Sequence, residues 1–393
     1  MTSVEAESKI AMIREELPAV NRYAYLNTGT FGPLPTRTVE AMARHQEVEL
    51  TEGRIVASGF HRSFEIRTQA RAEVAKVLGC SPANVALTRH TTDGMNIAVM
   101  GLNWAPGDEI IISDMEHPGG QGPVYNVARR YGVTVRIAHL GDGTDDVVGA
   151  FERLITPRTR MIVTSHLSWN TGTVLPLADI VEMAHRHHVL VAADAAQSAG
   201  SIPVNVVATG VDVYATPGQK WLCGPEGTGA VYVADAAMEQ IQQSVVGYVS
   251  VAAWEHVGAY FTPQHDAVRY EVGGMTVAAV LGQQVSVRWI TETVGLDWAY
   301  ARIAQLGHYA WDTLAALDGV TMLTPRYQMA GLVTFSIDGF QPPALVEALA
   351  DRGVIIRWID QPAALRVSTG FYNTEADIDR LVDAITDIRR EGA

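Results

Sequence analysis

Residues 215–229 read ATPGQKWLCGPEGTG and contain Lys220, one of only three lysines in a chain of 393 residues. Apolar, β-branched runs at 211–214 and 230–233 flank this turn-rich segment. Two flanking strands would bury the lysine, and a buried ammonium is costly unless it is paired or neutral. A lysine amine also forms Schiff bases with carbonyl groups. The pattern therefore marks Lys220 as a candidate for covalent chemistry.

An acid ends an upstream apolar run. Residues 189–193 read VLVAA, and Asp194 follows them directly. Pyridoxal phosphate (PLP) needs these two residue types, because a lysine takes its aldehyde and an acid pairs with its pyridinium nitrogen. Asp194 and Lys220 together predict a PLP site.

Composition narrows the class of protein. The chain is 48% hydrophobic and 18% charged, which is enough for a large core and for two domains. Its net charge is −14 and no basic tract is longer than a pair, so we expect neither nucleic acid nor an anionic membrane as a partner. The acidic N-terminus lacks the features of a signal peptide, which predicts a cytoplasmic protein. Two cysteines, Cys80 and Cys223, cannot build a disulfide framework. No pattern predicts a metal site.

Short apolar runs alternate with segments long enough for crossover helices. This alternation predicts an α/β fold with a mostly parallel sheet and helices on both of its faces. The predicted strands are 85–87, 109–113, 134–138, 161–164, 189–193, 211–214 and 230–233, and the predicted helices of this part include 36–52, 65–78, 120–131 and 177–188.

The periodicity changes after residue 235. Residues 236–270 contain several aromatic side chains without a clear period, and we interpret them as an irregular segment that covers a site. A pattern typical of a small α+β domain follows. The predicted organisation is an N-terminal segment at 1–30 near the active site, a large PLP-binding domain at 31–264, and a small C-terminal domain at 265–393.

Several polar residues fall at predicted strand ends, where ligands bind in open parallel sheets. Thr91 and Thr92 begin a helix after the first strand and offer hydroxyl and backbone donors to a phosphate, although an ordinary helix cap is the alternative. His117 follows the second strand and could stack on a planar cofactor. Asn170 follows another strand. Their shared placement with Asp194 favours one binding edge.

An arginine suits a substrate carboxylate, because its planar guanidinium can pair with two oxygens. Arg366 is the candidate. Arg357 is a weaker one, because a surface salt bridge is an equally simple interpretation in a chain with 26 arginines.

The chain resembles the class V aminotransferase-like PLP enzymes of fold type I, and within them the group that contains cysteine desulfurases, cysteine/cystine C–S lyases and isopenicillin N epimerase. The resemblance extends from residue 25 to residue 382. Its densest motifs are TTDGMN at 91–96, EH at 116–117, NTGT at 170–173, DAAQ at 194–197, GQK at 218–220 and RVSTGFYNT at 366–374. It implies a mostly parallel seven-stranded sheet and a homodimer.

The resemblance also implies roles for individual residues. Lys220 would hold the cofactor aldehyde, Asp194 the ring nitrogen and Gln197 the phenolic oxygen, while His117 would stack on the ring. Thr91 and Thr92 would hold the phosphate. The substrate carboxylate would lie against Asn170 and Arg366, with Asn27 and the two residues after it, 27–29, lining the pocket.

Three departures from the family pattern bear on the function. Many relatives have a serine where this chain has Pro217, so that Thr216 or Gln219 would have to bind the phosphate in its place. Relatives often donate a threonine across the dimer where Gly274 stands, which leaves Thr276. Desulfurases carry a persulfide-forming cysteine on a loop before the carboxylate arginine, but residues 357–366 contain none.

We therefore expect a PLP enzyme that acts on a small amino acid through a carbanion at Cα. The favoured reaction is β-elimination, as in a cysteine/cystine-type C–S lyase, with Lys220 as the general base. Epimerisation and transamination share every step as far as the carbanion and remain the alternatives. A PLP-binding protein without turnover is a third possibility, which the intact lysine, acid and arginine disfavour.

Overall fold

The computed structural model describes residues 3–392. Its α-helices are α1 Ser3–Glu15, α2 Ala19–Arg22, α3 Thr36–Glu52, α4 Ala57–Leu78, α5 Thr91–Met100, α6 Pro118–Tyr131, α7 Val147–Glu152, α8 Leu177–Arg186, α9 Val206–Thr209, α10 Asp235–Met238, α11 Val277–Arg288, α12 Leu296–Ala315, α13 Pro342–Asp351 and α14 Glu375–Gly392. A π-helical turn, Trp289–Val294, connects α11 to α12.

The strands belong to two larger sheets and two small ones. They are β1 Ala24–Tyr25, β2 Val85–Thr88, β3 Glu109–Ser113, β4 Thr134–Ala138, β5 Thr159–Ser165, β6 Leu190–Asp194, β7 Val213–Pro217, β8 Gly229–Val233, β9 Val251–Glu255, β10 Tyr260–Pro263, β11 Val320–Met322, β12 Leu332–Ile337, β13 Val354–Ile355, β14 Arg357–Asp360 and β15 Ala363–Ser368.

The large sheet has seven strands in the order β2-β8-β7-β6-β5-β3-β4. Only β8 runs antiparallel to its neighbours. The strands at its centre are buried along their whole length, as their continuous apolar runs predict. Separate apolar clusters cover the two faces of the sheet. The predicted seven-stranded, mostly parallel α/β architecture is confirmed.

A four-stranded antiparallel sheet, ordered β11-β12-β15-β14, lies in the C-terminal part of the chain. Its core joins residues of α12, α13 and α14. The N-terminal segment contacts this part of the molecule, because β1 pairs in parallel with β13 and Asn27 forms a bridge with Ser368. The domain boundaries after residues 30 and 264 stay a prediction.

The segment 236–270 differs from its prediction. It contains the antiparallel hairpin β9–β10, so it is more regular than the sequence indicated. The alternation typical of a strand was missing because Val251 is buried whereas the four residues after it are all exposed. Trp254 and Tyr260 are large exposed side chains on this hairpin. Within residues 3–392, no helix combines the length and apolarity needed to cross a membrane.

Candidate active site

Lys220 lies in the turn that follows β7, at the edge where the parallel strands end. The N-terminal loop packs on this turn, because the Gly32 amide donates to the Gln219 carbonyl at 2.7 Å. A Cβ on Gly32 would stand 2.2 Å from the Lys220 carbonyl oxygen, so only glycine allows this approach. The lysine is largely buried. Burial lowers the pKa of Lys220 to about 8, the Asp194 charge opposes this, and the Arg366 and Arg357 charges reinforce it.

Asp194 ends β6, beside the turn that carries Lys220. Its side chain is 4% exposed, and one carboxylate oxygen, Oδ1, accepts from the Ala196 amide at 2.9 Å. Burial raises its pKa, whereas this hydrogen bond and the Lys220 charge lower it. Among the described residues, no cation lies within ion-pair distance of Asp194. The second oxygen is therefore available to a protonated ring nitrogen.

The N-terminus of α5 lies at the same edge, after β2. Thr91 and Thr92 are its first residues, and the first N–H groups of a helix have no partner inside the helix. Such a terminus binds phosphate through these donors and through the helix dipole. The His90 side chain caps the helix by accepting from the Asp93 amide. The two threonine hydroxyls are thus not needed as helix caps, contrary to the simpler alternative.

His117 follows β3 and caps α6, because its Nδ1 atom accepts from the Gly119 amide at 3.0 Å. Burial lowers the pKa of His117 to about 4, and the charges of Lys220, Arg357 and Arg366 act in the same direction. The ring is therefore neutral at pH 7, as is suitable for a side chain that stacks on a planar cofactor. The His117 and Trp169 rings are perpendicular, with centroids 5.1 Å apart.

Gln197 is fixed in position by two hydrogen bonds. Its Nε2 atom donates to the Gly29 carbonyl and its Oε1 atom accepts from the Trp221 indole, both at 2.9 Å. An amide has two N–H donors, so one stays free for a cofactor oxygen. A Cβ on Gly29 would stand 2.9 Å from Gln197 Oε1 and from Ser368 Oγ. This glycine therefore lets the loop approach the site.

Arg366 lies on β15 and is 1% exposed. Its Nη1 atom donates to the Trp169 carbonyl at 2.9 Å and its Nη2 atom to the Thr30 hydroxyl at 3.2 Å, while Nε has no partner. Within residues 3–392 it forms no ion pair. Burial lowers its pKa to about 9, and the Arg357 charge acts in the same direction.

Arg357 lies opposite Arg366 on the neighbouring strand, β14. Its Nη1 atom donates to the same Thr30 hydroxyl at 3.4 Å, and burial lowers its pKa. The surface salt bridge that the sequence left open is not found among the described residues. Two guanidinium groups thus converge on the Thr30 hydroxyl, and neither forms an ion pair within residues 3–392.

The remaining predicted substrate residues differ in their placement. Asn27 accepts from the Thr30 hydroxyl at 2.7 Å, which connects it to both arginines. Asn170 instead accepts from the Ser168 hydroxyl within its own turn, and no contact with Arg366 is found in the described part of the chain. Trp169, its neighbour, makes that contact through its carbonyl group.

Sequence reasoning did not single out Thr30 or Trp169. Thr30 follows the predicted pocket residues 27–29 directly, and this adjacency was the available signal. Trp169 acts through a backbone carbonyl, which a side-chain pattern does not indicate. Of the two proposed replacements for the missing serine, Thr216 donates to the Pro217 carbonyl. Gln219 keeps a buried Oε1 atom without a partner. An amide oxygen only accepts, so a phosphate would have to bind the Nε2 donor of Gln219.

These groups fit PLP. A largely buried amine, a buried acid and a buried guanidinium face one edge, and none of the three is ion-paired in the described part of the chain. Charges kept in this state are costly unless a ligand pairs with them. A helix N-terminus adds the donors that a phosphate needs. No group of His, Cys, Asp and Glu side chains among residues 3–392 could hold a metal ion.

Comparisons with known proteins agree with this chemistry. Residues 25–381 match the family model described as aminotransferase class V. A probable cysteine desulfurase of Halalkalibacterium halodurans is 29% identical over 382 residues, which is 92% of each chain. Isopenicillin N epimerase of Streptomyces clavuligerus is 28% identical over 393 residues, covering 92% of this chain and 93% of its own.

Solved structures of C-DES are similar throughout. A mutant of C-DES with glycine covalently linked to its PLP cofactor has a TM-score of 0.91 and 29% identity, covering 95% of this chain and 99% of the other. Another structure shows C-DES, a cystine C–S lyase, with its reaction product cysteine persulfide. The fold and the PLP cofactor predicted from the sequence are confirmed. The roles of the individual residues stay predictions.

We expect the rate at which the apoprotein captures PLP to rise with pH and to reach half its maximum near pH 8. Only the neutral amine attacks an aldehyde, and its fraction rises as the pH passes the lowered pKa of Lys220, rather than the ordinary value of 10.5. Stopped-flow absorbance across the pH range measures this midpoint. Borohydride reduction and peptide mapping should then locate the label on Lys220.

The matched control is Lys220→Ala, which should fold and bind no PLP covalently. A label on Lys9 or Lys76, or a midpoint at pH 10 or above, would contradict the assignment.

Proposed function

Because the chain belongs to the class V aminotransferase family, we propose that it is a PLP-dependent lyase that cleaves the carbon–sulfur bond of a cysteine- or cystine-type amino acid. The observation that carries the proposal is the placement of the two thiols, of which Cys223 is buried and Cys80 is partly buried. Cys223 packs in an apolar cluster, and Cys80 packs against the core of the large sheet. Burial raises the pKa of each thiol to about 12, so neither supplies a thiolate near pH 7.

The hairpin before the carboxylate arginine supports the same conclusion. β14 ends at Asp360 and β15 begins at Ala363, so only two residues connect the strands. This turn contains no cysteine and is too short to carry a thiol to the substrate. A sulfur atom is therefore expelled from the substrate directly, without transfer to the protein.

The side chains of the site divide the work of such an elimination. PLP, when bound, accepts the electron pair that is left at Cα. Lys220 removes the Cα proton as general base, and Asp194 keeps the ring nitrogen protonated. Arg366 holds the α-carboxylate. With cystine and one water, the products are pyruvate, ammonia and cysteine persulfide, which balances all atoms.

The two arginines favour cystine over cysteine as the substrate. Arg366 can pair with one carboxylate, and Arg357 presents a second guanidinium beside it. Cystine carries two carboxylates, one on each half, whereas cysteine carries one. The site thus suits an amino acid with a distal anionic group.

We also infer a homodimer. The exposed aromatic side chains of the β9–β10 hairpin, Trp254, Tyr260 and Phe261, form an apolar surface that a second copy would cover. The homodimer that the family resemblance implies supports this inference.

A panel of amino acids tests the reaction. Incubation of the holoenzyme with cystine should yield pyruvate and a persulfide in equal amounts, read by lactate dehydrogenase coupling and by cyanolysis. Alanine in place of pyruvate would indicate desulfurase chemistry. Loss of chirality without pyruvate would indicate an epimerase, a keto acid that retains the side chain a transaminase, and no product at all a binding protein.

Replacing both thiols should leave the elimination intact. The double variant Cys80→Ala, Cys223→Ser should keep kcat/KM for cystine within about threefold, because neither thiol touches the substrate in this proposal. Thermal melting of the two single variants serves as the control for folding. A loss of a hundredfold or more in a folded Cys223→Ser protein would restore a mechanism that uses a protein thiol.

Arg357→Ala should separate cystine from substrates with one carboxylate. We expect roughly a tenfold increase in KM for cystine, since a half-buried ion pair is weaker than a fully buried one. KM for β-chloroalanine, which lacks the distal group, should stay within about twofold. Arg366→Ala is the matched control and should raise KM for both substrates. An equal effect of Arg357→Ala on both would exclude a role for Arg357 at the distal carboxylate.

A further inference from the structure

Glu116 is a buried acid that the chemistry above does not use. It follows β3 directly before His117 and is 2% exposed. Its Oε1 atom accepts from the Ser113 hydroxyl and from the Ser165 amide, the latter at 2.8 Å, and its Oε2 atom accepts from the Ser165 hydroxyl at 2.7 Å. The carboxyl group is thereby fixed between the ends of β3 and β5.

This carboxyl group lies next to Asp194. Ser165, which binds Glu116 twice, is the residue paired with Asp194 between β5 and β6. A Cβ placed on Gly120 would stand 3.7 Å from Asp194 Oδ2 and 4.0 Å from Glu116 Oε2, so both oxygens border the same small space. Asp194 Oδ2 is the oxygen that the Ala196 amide leaves free.

The charge of Glu116 depends on opposing effects. Burial raises its pKa to about 7, and the Asp194 charge also raises it, while the donors from Ser113 and Ser165 lower it. Glu116 is therefore anionic above about pH 7. Among the described residues, no cation is paired with Glu116. Its negative charge therefore acts on a ligand charge that binds next to Asp194.

We propose that Glu116 is a positioning residue that acts through Asp194: its carboxylate, held by Ser113 and Ser165, is a second negative charge that keeps the ring nitrogen of bound PLP protonated. This inference rests on the cofactor and on the assignment of Asp194, and it does not depend on the lyase reaction.

Electrostatics makes the expected effect measurable. A pyridinium that pairs with Asp194 would carry its charge in a site with little water. In such a site, a second unit charge one side chain away still changes the binding affinity by roughly tenfold or more. A second anion on the same side favours the protonated ring further. Three hydrogen bonds from Ser113 and Ser165 keep the Glu116 carboxylate in one position, so the protein does not reorganise when the cofactor binds.

Two substitutions separate this role from a structural one. Glu116→Gln keeps the shape and removes the charge, whereas Glu116→Asp keeps the charge and shortens the reach to Ser165. If Glu116 only tied β3 to β5, the aspartate variant would be the more damaged of the two. If its charge acts on the ring nitrogen, the glutamine variant would be.

The measurement is the equilibrium affinity of each apoprotein for PLP and for its 1-deaza analogue, in which C–H replaces the ring nitrogen, at about pH 8. We expect Glu116→Gln to weaken PLP binding roughly tenfold relative to the analogue. Glu116→Asp should change this ratio by less than about threefold. The ¹⁵N chemical shift of ring-labelled PLP gives a second reading, which should move toward the unprotonated value in Glu116→Gln alone.

An unchanged ratio of the two affinities in a folded Glu116→Gln protein would overturn the proposal, as would a larger change in Glu116→Asp than in Glu116→Gln. Because neither measurement uses an amino-acid substrate, a failure here is distinguishable from a failure of the proposed lyase activity.

Discussion

The largely buried amine of Lys220, which forms no ion pair with any side chain of residues 3–392, is the constraint on which the rest of the site depends. Removing an ion from water costs several kcal/mol even after relaxation. This cost lowers the pKa of the amine to about 8, and so makes it a nucleophile near neutral pH. The Asp194 charge opposes this lowering of the Lys220 pKa, and the Arg366 and Arg357 charges increase it. The amine therefore stays reactive, and Asp194 stays available as an anion for the cofactor.

Close backbone approach makes this arrangement possible. The loop at 27–32 contacts the Lys220 turn at Gly32 and approaches Gln197 and Ser368 at Gly29, and a side chain on either glycine would prevent the contact. The same principle fixes α5, whose Gly94 would place a Cβ 2.6 Å from that of Ala215 on β7. The helix N-terminus can thus lie near the strand ends. The phosphate and the pyridine ring of a single PLP molecule could therefore contact both.

The sequence predicted the strands of the large sheet and the residues at their ends, because each buried strand is a continuous apolar run and a polar residue marks its end. It did not predict the β9–β10 hairpin, whose strands are exposed and lack alternation. It also missed Thr30, Trp169 and the proximity of Glu116 to Asp194. These depend on loop conformation, on a backbone carbonyl and on the spacing between two strands, none of which a local pattern encodes.

In the proposed function, the two sheets divide cofactor chemistry from substrate recognition. Lys220, Asp194 and His117 follow strands of the large sheet, whereas Arg366 and Arg357 lie on the small antiparallel one. The two sheets are still coupled, because the charges of Arg366 and Arg357 help to lower the pKa of Lys220 and of His117. A long loop with a thiol would suit transfer of sulfur to the protein, but a two-residue turn with paired arginines suits release of a sulfur product. In the proposed function, the β14–β15 hairpin therefore decides whether sulfur is released or transferred, while the large sheet supplies the cofactor residues.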